Sequence, residues 1–339
     1  MSVTLVTGAA GHLGANLVRA LLREGRRVRA LVRSDARALE GLELELVHGD
    51  VTAPDTLTPA MRHVDVVFHL AGLITLRGDD DERATAVNVD GVRHVARAAL
   101  DAGVRRFIHF SSVEAEDTAS DGEPTPTGHE RPSSPFGAYG RSKAQGDAVV
   151  ASFVARGLPA ITLRPSGVLG PFDFKPSLMG RFLIGLHQRR FPVLVAGAFD
   201  WVDARDVTET AVRAERAGQI GERYLVTGTW ASLTELARAA GEVAGFHPPT
   251  RVVPSWLARL GAHLIEAGSA IVGAEPLWTP GALARVAGGA PFDGARARAE
   301  LGHRARPLRE TLRDAYAWYR SVGMLPAPSD HRDDAHDDL

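Results

Sequence analysis

The stretch Val3–Gly14, VTLVTGAAGHLG, constrains the fold more than any other part of the chain. An apolar run (Val3, Leu5, Val6) leads into Gly8, Gly11 and Gly14, and apolar residues then recur at helical spacing at Leu13, Leu17, Val18, Leu21 and Leu22. The pattern is strand, glycine turn, helix. Backbone N–H groups of such a turn, together with the helix N-terminus behind it, make a site for a pyrophosphate. Gly8, Ala10, Gly11, His12, Leu13 and Gly14 would supply that main chain. Glycine spacing alone says little, but with these flanks it predicts dinucleotide binding.

Strand-like and helix-like segments alternate through the first half. Val28–Val32, Leu44–Val47, Val64–Leu70, Phe107–Ser111 and Ile161–Leu163 read as short buried strands. Asn16–Glu24, Arg83–Ala102 and Tyr139–Arg156 read as helices between them. Repeated βαβ units predict an α/β fold with a doubly wound parallel sheet. Beyond Pro165 the pattern is less regular. Tyr224–Val226 looks like one more core strand, while Ser232–Ala244, Pro254–Val272 and Pro307–Arg320 look helical. The expected division is a binding core over 1–165, joined by a strand near 222–228, and a smaller, helix-rich C-terminal substrate lobe over 166–324. Residues 325–339 are expected to form a disordered tail.

The 339 residues suffice for a large core, with 45% apolar and 24% charged residues. A net charge of −2 gives no general pull towards nucleic acid or anionic lipid. The absence of cysteine excludes disulfides and thiolate metal sites, and no metal ligation is expected. The chain enters a strand at once, with no leader pattern, so a cytoplasmic location is expected. Charged residues interrupt the apolar stretch from Leu257 to Ala274, which predicts no membrane span. Leu257–Val272 reads as an amphipathic helix over the substrate cleft. Glu116–Gly137, with four prolines, reads as a long surface loop that orders over bound substrate.

At the end of the second strand stands Arg33, where an acidic residue would bond a ribose hydroxyl and an arginine can hold a 2′-phosphate. Arg33 therefore favours NADP over NAD, although Asp35 follows closely. Asp50 and Val51, after the third strand, are placed for the adenine edge, with a turn role as the alternative for Asp50. Leu70, Ala71 and Gly72 end the fourth strand with little bulk, letting a cofactor lie close. His69 before them reads as a core histidine.

Ser111 and Ser112 end the fifth strand, and Tyr139 and Lys143 share one face of the following helix. A phenol of pKa about 10 is a poor acid or base at neutral pH. An adjacent ammonium stabilises the phenolate and lowers that value. A serine hydroxyl can then hold the substrate oxygen while proton and hydride move.

Thr7–Gly14, Asn88-Val89, Ser111-Ser112 and Tyr139xxxLys143 together resemble the extended short-chain dehydrogenase/reductase family, of the NAD-dependent epimerase/dehydratase type. Arg164–Pro171 and Trp201–Val207 match its later landmarks, so the resemblance runs to about Met324. It implies a Rossmann-type core, Ser112, Tyr139 and Lys143 as the catalytic set, and Asn88 and Pro165 near the cofactor. It also implies a homodimer through the Tyr139 helix and the Arg83–Ala102 helix. Arg33 and the Pro165–Pro171 stretch look most like the dihydroflavonol-4-reductase-like branch. His12 and Gly72 depart from the family's usual aromatic or aliphatic residue and second alanine.

The reading that follows is an NADP-dependent oxidoreductase acting on a carbonyl/alcohol pair in a small, partly apolar molecule. The alternatives are an NAD-dependent nucleotide-sugar epimerase and a non-catalytic cofactor-binding regulator. Dehydratases of the family carry an Asp-Glu pair where this chain has Val113-Glu114, and Glu114 reads as a solvated loop residue. Lys175, Arg181, Arg189 and Arg190 lie where an epimerase would bind a diphosphate, but they also read as solvated helix residues.

Overall fold

The computed structural model describes residues 3–74, 81–115, 137–258 and 291–327. The proline-rich loop up to Pro135, most of the Pro254–Val272 segment and the tail beyond Ala327 lie outside the described residues.

Seven parallel strands form the main sheet: β1 (Val3–Thr7), β2 (Arg27–Val32), β3 (Glu45–His48), β4 (Val64–His69), β5 (Arg106–Phe110), β6 (Ala160–Pro165) and β10 (Arg223–Val226). Their order is β10-β6-β5-β4-β1-β2-β3. β1 and β6 are buried along their whole length, as a sheet covered on both faces requires. The chain winds outward from β1 to β3, then returns to β4 on the other side of β1. The two halves part there, and Thr7 faces His69 across the gap in register. That reversal is the switch point at which open α/β sheets bind ligands.

Helices cover both faces. On one side α1 (His12–Arg23) packs Leu17, Val18 and Leu21 against Val6, Val28 and Ala30. Its last turn closes at Gly25, with φ +70°, where the Arg26 and Gly25 N–H groups reach back to Leu21 and Leu22. On the other side lie α2 (Leu57–Ala60), α4 (Gly91–Asp101) and α5 (Gly137–Val154), with Val92, Val95, Ala99 and Phe153 buried. The helix expected over Arg83–Ala102 is not continuous. α3 (Asp81–Thr85) passes through a π-helical turn at Ala86–Asp90 before α4 begins. One inserted residue rotates Asn88 inward, a device found often at functional sites.

The C-terminal half holds more strand than its sequence pattern suggests. β7 (Gly167–Leu169), β9 (Ala198–Asp203) and β11 (Thr229–Ser232) form a second sheet, and β8 (Leu194–Val195) pairs with β12 (Val252–Val253). α6 (Leu178–His187), α8 (Leu233–Ala244) and α10 (Leu308–Ser321) pack with β9 around Phe182, Trp201, Leu236 and Tyr316. Ser232 caps α8 with a full capping box to Glu235. By contrast, α7 (Ala204–Ala217) and α9 (Ala295–Leu301) cover the main sheet, burying Val207, Ala211, Ala297 and Leu301 in the core beside α1. Among the described residues no helix is long and apolar enough to cross a membrane.

A side-chain carbon at Gly14 would overlap the Gly8 carbonyl oxygen and the Ala9 backbone. Gly14→Ala is therefore expected to lower stability by about 1–3 kcal/mol. Gly25→Asn, in open space at a left-handed position, should stay within about 0.5 kcal/mol of the parent. Urea midpoints of the two variants check the contrast.

Candidate active site

The glycine turn sits at the carboxyl end of β1. Gly8 takes φ +68°, and a Cβ there would stand 2.6 Å from the Ala71 nitrogen. Gly11 donates its N–H to the Gly8 carbonyl at 3.0 Å and becomes the N-cap of α1. Glycine offers no side-chain cap, so the first-turn N–H groups of His12, Leu13 and Gly14 remain available to an anion. These residues fit the pyrophosphate of a dinucleotide. His12 contributes more than its backbone. Its Nε2 donates to the Pro171 carbonyl at 3.0 Å, and Asn16 Nδ2 donates to the same oxygen at 2.9 Å. Arg19, further along α1, lies over the Phe172 ring at 4.5 Å.

The far end of the sheet edge carries Arg33, Asp50 and Val51. The Arg33 side chain is 75% exposed and approaches Asp50 only to 3.8 Å. Asp35 is engaged elsewhere, in a fork with Arg37 Nε and Nη2 at 3.0 and 2.8 Å, and those bonds hold its pKa at about 2. Asp50 does serve the turn, accepting from Thr52 N–H at 2.9 Å and Thr52 Oγ1 at 2.8 Å. Burial pushes its pKa up, but the Thr52 bonds and nearby Arg33 prevail and hold it below the usual carboxylate range. Val51 is buried, and its carbonyl accepts from His94 Nδ1.

Ser112, Tyr139 and Lys143 line one cavity of about 390 Å³. It opens on Gly8, Gly11, His12, Leu13, Gly14, Leu70, Gly72 and Pro165, which it brings together with the expected catalytic set, whereas Ala10, Arg33, Asp50, Val51, Ala71 and Asn88 do not line it. Tyr139 and Lys143 occupy the first two turns of α5. Lys143 is 4% exposed, and its Nζ donates to the Phe110 carbonyl at 2.6 Å. Burial drives its pKa down to about 8, against the pull of Asp147. Gly72 leaves room beside it, since a Cβ would lie 3.7 Å from Nζ. Asn88, brought inward by the π turn, pins this floor. Its Oδ1 accepts from Leu73 N–H, and its Nδ2 donates to the Leu73 carbonyl and to Ser142 Oγ, all at 2.8–2.9 Å.

Beneath Lys143 lies a buried polar bed. Asp147 pairs with Arg164 Nε at 2.9 Å and approaches His109 Nε2 at 3.3 Å. His69 stacks on His109 and bonds Thr7 Oγ1 through Nδ1 at 2.7 Å. It is wholly buried, as a core histidine should be. Burial lowers the pKa of both imidazoles, so they are neutral at pH 7.

Two residues stand differently from their sequence reading. Glu114 is not a solvated loop residue. It is 8% exposed on a 3-10 turn over Val113–Ala115, lines the cavity, and donates its backbone N–H to Ser112 Oγ at 3.2 Å. Lys175 reaches the cavity, whereas Arg189 and Arg190 lie exposed beyond the end of α6 and do not line it. The lobe's wall is Met179, Phe182, Phe199, Trp201 and Leu233, residues that no sequence motif marks as cavity-lining. A wider groove of about 1510 Å³, around Arg26, Glu45 and Glu215, has neither the glycine turn nor the Ser–Tyr–Lys set. It sits at the amino-terminal edge of the sheet, the edge that open α/β proteins do not use.

The family model for the NAD-dependent epimerase/dehydratase family matches residues 4–227. The chain is 36% identical over 327 residues to sterol demethylase protein B of Methylococcus capsulatus, covering 95% of this chain and 99% of that protein. It is 30% identical over 327 residues to a dihydroflavonol 4-reductase-like protein of Synechocystis, covering 94% and 95%. The crystal structure of gox2253 superposes with a TM-score of 0.81 at 36% identity, covering 95% of this chain and 99% of that one.

Lys143 and Lys175 are the chain's two lysines. NMR of a sample labelled at lysine ε-carbon should therefore give two side-chain signals. One should titrate with a midpoint near 8 and disappear in Lys143→Arg. The other, from exposed Lys175, should remain in Lys143→Arg. A Lys143 midpoint at the ordinary value would refute the burial argument.

Proposed function

The chain belongs to the NAD-dependent epimerase/dehydratase family, within the extended short-chain dehydrogenases/reductases, and on that premise we propose an NADP-dependent oxidoreductase acting on a carbonyl or alcohol of a small molecule. The observation that carries this reading is the exposed Arg33 fork at the end of β2, with Asp35 tied up by Arg37. A guanidinium there suits a 2′-phosphate, and Asp35, the acidic residue next to the strand end, is held by Arg37.

When bound, the nicotinamide supplies or accepts the hydride. The chain's own residues do the rest. Ser112 Oγ accepts from the Glu114 N–H, which leaves its proton free to donate to the substrate oxygen. Tyr139 gives that oxygen a proton in reduction and takes it back in oxidation. Lys143, charged below pH 8, would stabilise a Tyr139 phenolate, and its donors not used on Phe110 would hold the cofactor ribose. Gly8 to Gly14 cradle the pyrophosphate, while Asp50, Val51, Leu70, Ala71, Gly72, Asn88 and Pro165 border the cofactor. Residues 1–165 with 222–228 act as the cofactor core and 166–324 mainly as the substrate lobe. Two copies would pair through α4 and α5, in the cytoplasm.

Fluorescence titration should give a dissociation constant at least about tenfold lower for NADPH than for NADH, roughly 1.4 kcal/mol. Arg33→Asp should reverse the order, and equal or tighter NADH binding by the parent overturns the cofactor assignment. Tyr139→Phe should cut kcat by about 10²–10⁴-fold with little change in cofactor affinity.

A further inference from the structure

Resting on the oxidoreductase reading, we infer that the substrate is an uncharged, largely hydrocarbon alcohol or ketone, and that the site rejects nucleoside diphosphate compounds. The substrate half of the cavity is walled by Val113, Met179, Phe182, Phe199, Trp201 and Leu233. These come from the turn after β5, from α6, from β9 and from the start of α8. They are continuous with the lobe's own core, so the wall is packed and rigid. Phe199 lies against Trp201 and Phe292, and Phe182 against Phe191. The one donor this wall could offer is spent: Trp201 Nε1 already donates to the Ala231 carbonyl at 3.0 Å, leaving the ring to face the cavity.

Charge points the same way. A diphosphate needs two or more cations, and guanidinium forks suit it best. Among the described residues no arginine lines the cavity, and its cations are Lys143 and Lys175. Lys143 stands on the cofactor side, bonded to Phe110. Against Lys175 stand two buried carboxylates, Glu114 and Asp173. Asp173 accepts from the Ser177 N–H and hydroxyl, and among the described residues no ion pair compensates its charge. Placing phosphate charges between these carboxylates and an aromatic wall would leave them unpaired in a low-dielectric site.

Of the cavity's hydroxyls, those of Ser166 and Ser177 are already given to Asp200 and Asp173, whereas Ser112 and Tyr139 are the pair assigned to the substrate oxygen. The rim also carries Ile74, 56% exposed although it lines the cavity, and a hydrocarbon body would cover it. The fitting ligand has one oxygen near an end and a bulky apolar remainder. In oxidation its carbinol C–H leaves as hydride to oxidised NADP and its O–H proton passes to the Tyr139 phenolate, giving ketone and NADPH. Reduction runs the same transfers backward.

The test uses the full-length protein saturated with cofactor and two kinds of probe: cyclohexanol, 2-decalol and cyclododecanol on one side, UDP-glucose on the other. Binding is read from tryptophan fluorescence and turnover from nicotinamide absorbance. Affinity should rise at least about tenfold from cyclohexanol to 2-decalol, since each added methylene finds apolar wall. UDP-glucose should neither bind nor compete at millimolar concentration. Trp201→Phe should abolish the fluorescence response to 2-decalol but keep cofactor binding. Met179→Gln should raise KM with little change in kcat. Hydrocarbon alcohols that bind without turnover would support the substrate class and overturn the oxidoreductase reading. UDP-glucose binding, or no binding by the hydrocarbon alcohols, overturns the inference itself.

Discussion

The site is organised around one ammonium group buried where three elements meet. Lys143 leaves α5, crosses to the end of β5, and donates a hydrogen bond to the Phe110 carbonyl. Taking that charge out of water is unfavourable, which is why its proton is held more loosely than in an exposed lysine. The surroundings limit the penalty without removing it. Asp147, one turn further along α5, supplies an opposite charge, yet Arg164 already shares it. The imidazoles of His69 and His109 add bulk and hydrogen bonding but no positive charge at neutral pH. Gly72 and Asn88 keep the space above the ammonium shaped and open.

Much of this was legible because the signals were local. The apolar stripe of α1, the three glycines and the i,i+4 spacing of Tyr139 and Lys143 are each set by residues close in sequence. The parts that were not legible depend on distant partners. Asn88 sits in a stretch with continuous helical periodicity, and only its bonds to Leu73 and Ser142 reveal why the chain makes a π turn there. Glu114 is followed in sequence by polar residues and so reads as solvated, but its turn is buried under α5 and the lobe. β7 and β11 are three and four residues long, too short for a period, and β9 exists because both flank it. Trp201 and Phe199 are ordinary core residues by composition. Their place on a cavity wall appears only once the lobe closes over the sheet edge.

The boundary between core and lobe is crossed by charge as well as by chain. Arg205 at the start of α7 bonds Asp203 and reaches Asp314 on α10 at 2.6 Å. Arg306, just before α10, gathers Asp206, Glu209 and Glu310. A helix of the core face is thereby tied to a helix of the lobe through shared carboxylates. Burial lifts Asp206 to about 6, whereas the Arg205 bonds overcome the burial of Asp203 and keep it low. The two acids differ in environment, not in kind.

The carbonyl of Pro171 accepts hydrogen bonds from both His12 and Asn16. The same oxygen thus holds the first turn of α1 to the start of the segment carrying Asp173 and Lys175 into the cavity. That segment turns at Phe172, which takes φ +65°. If α1 holds one reactant and the segment faces the other, any free energy by which the first shifts binding of the second is returned equally, since linkage is reciprocal. A single backbone acceptor would then lie on the path between two reactants.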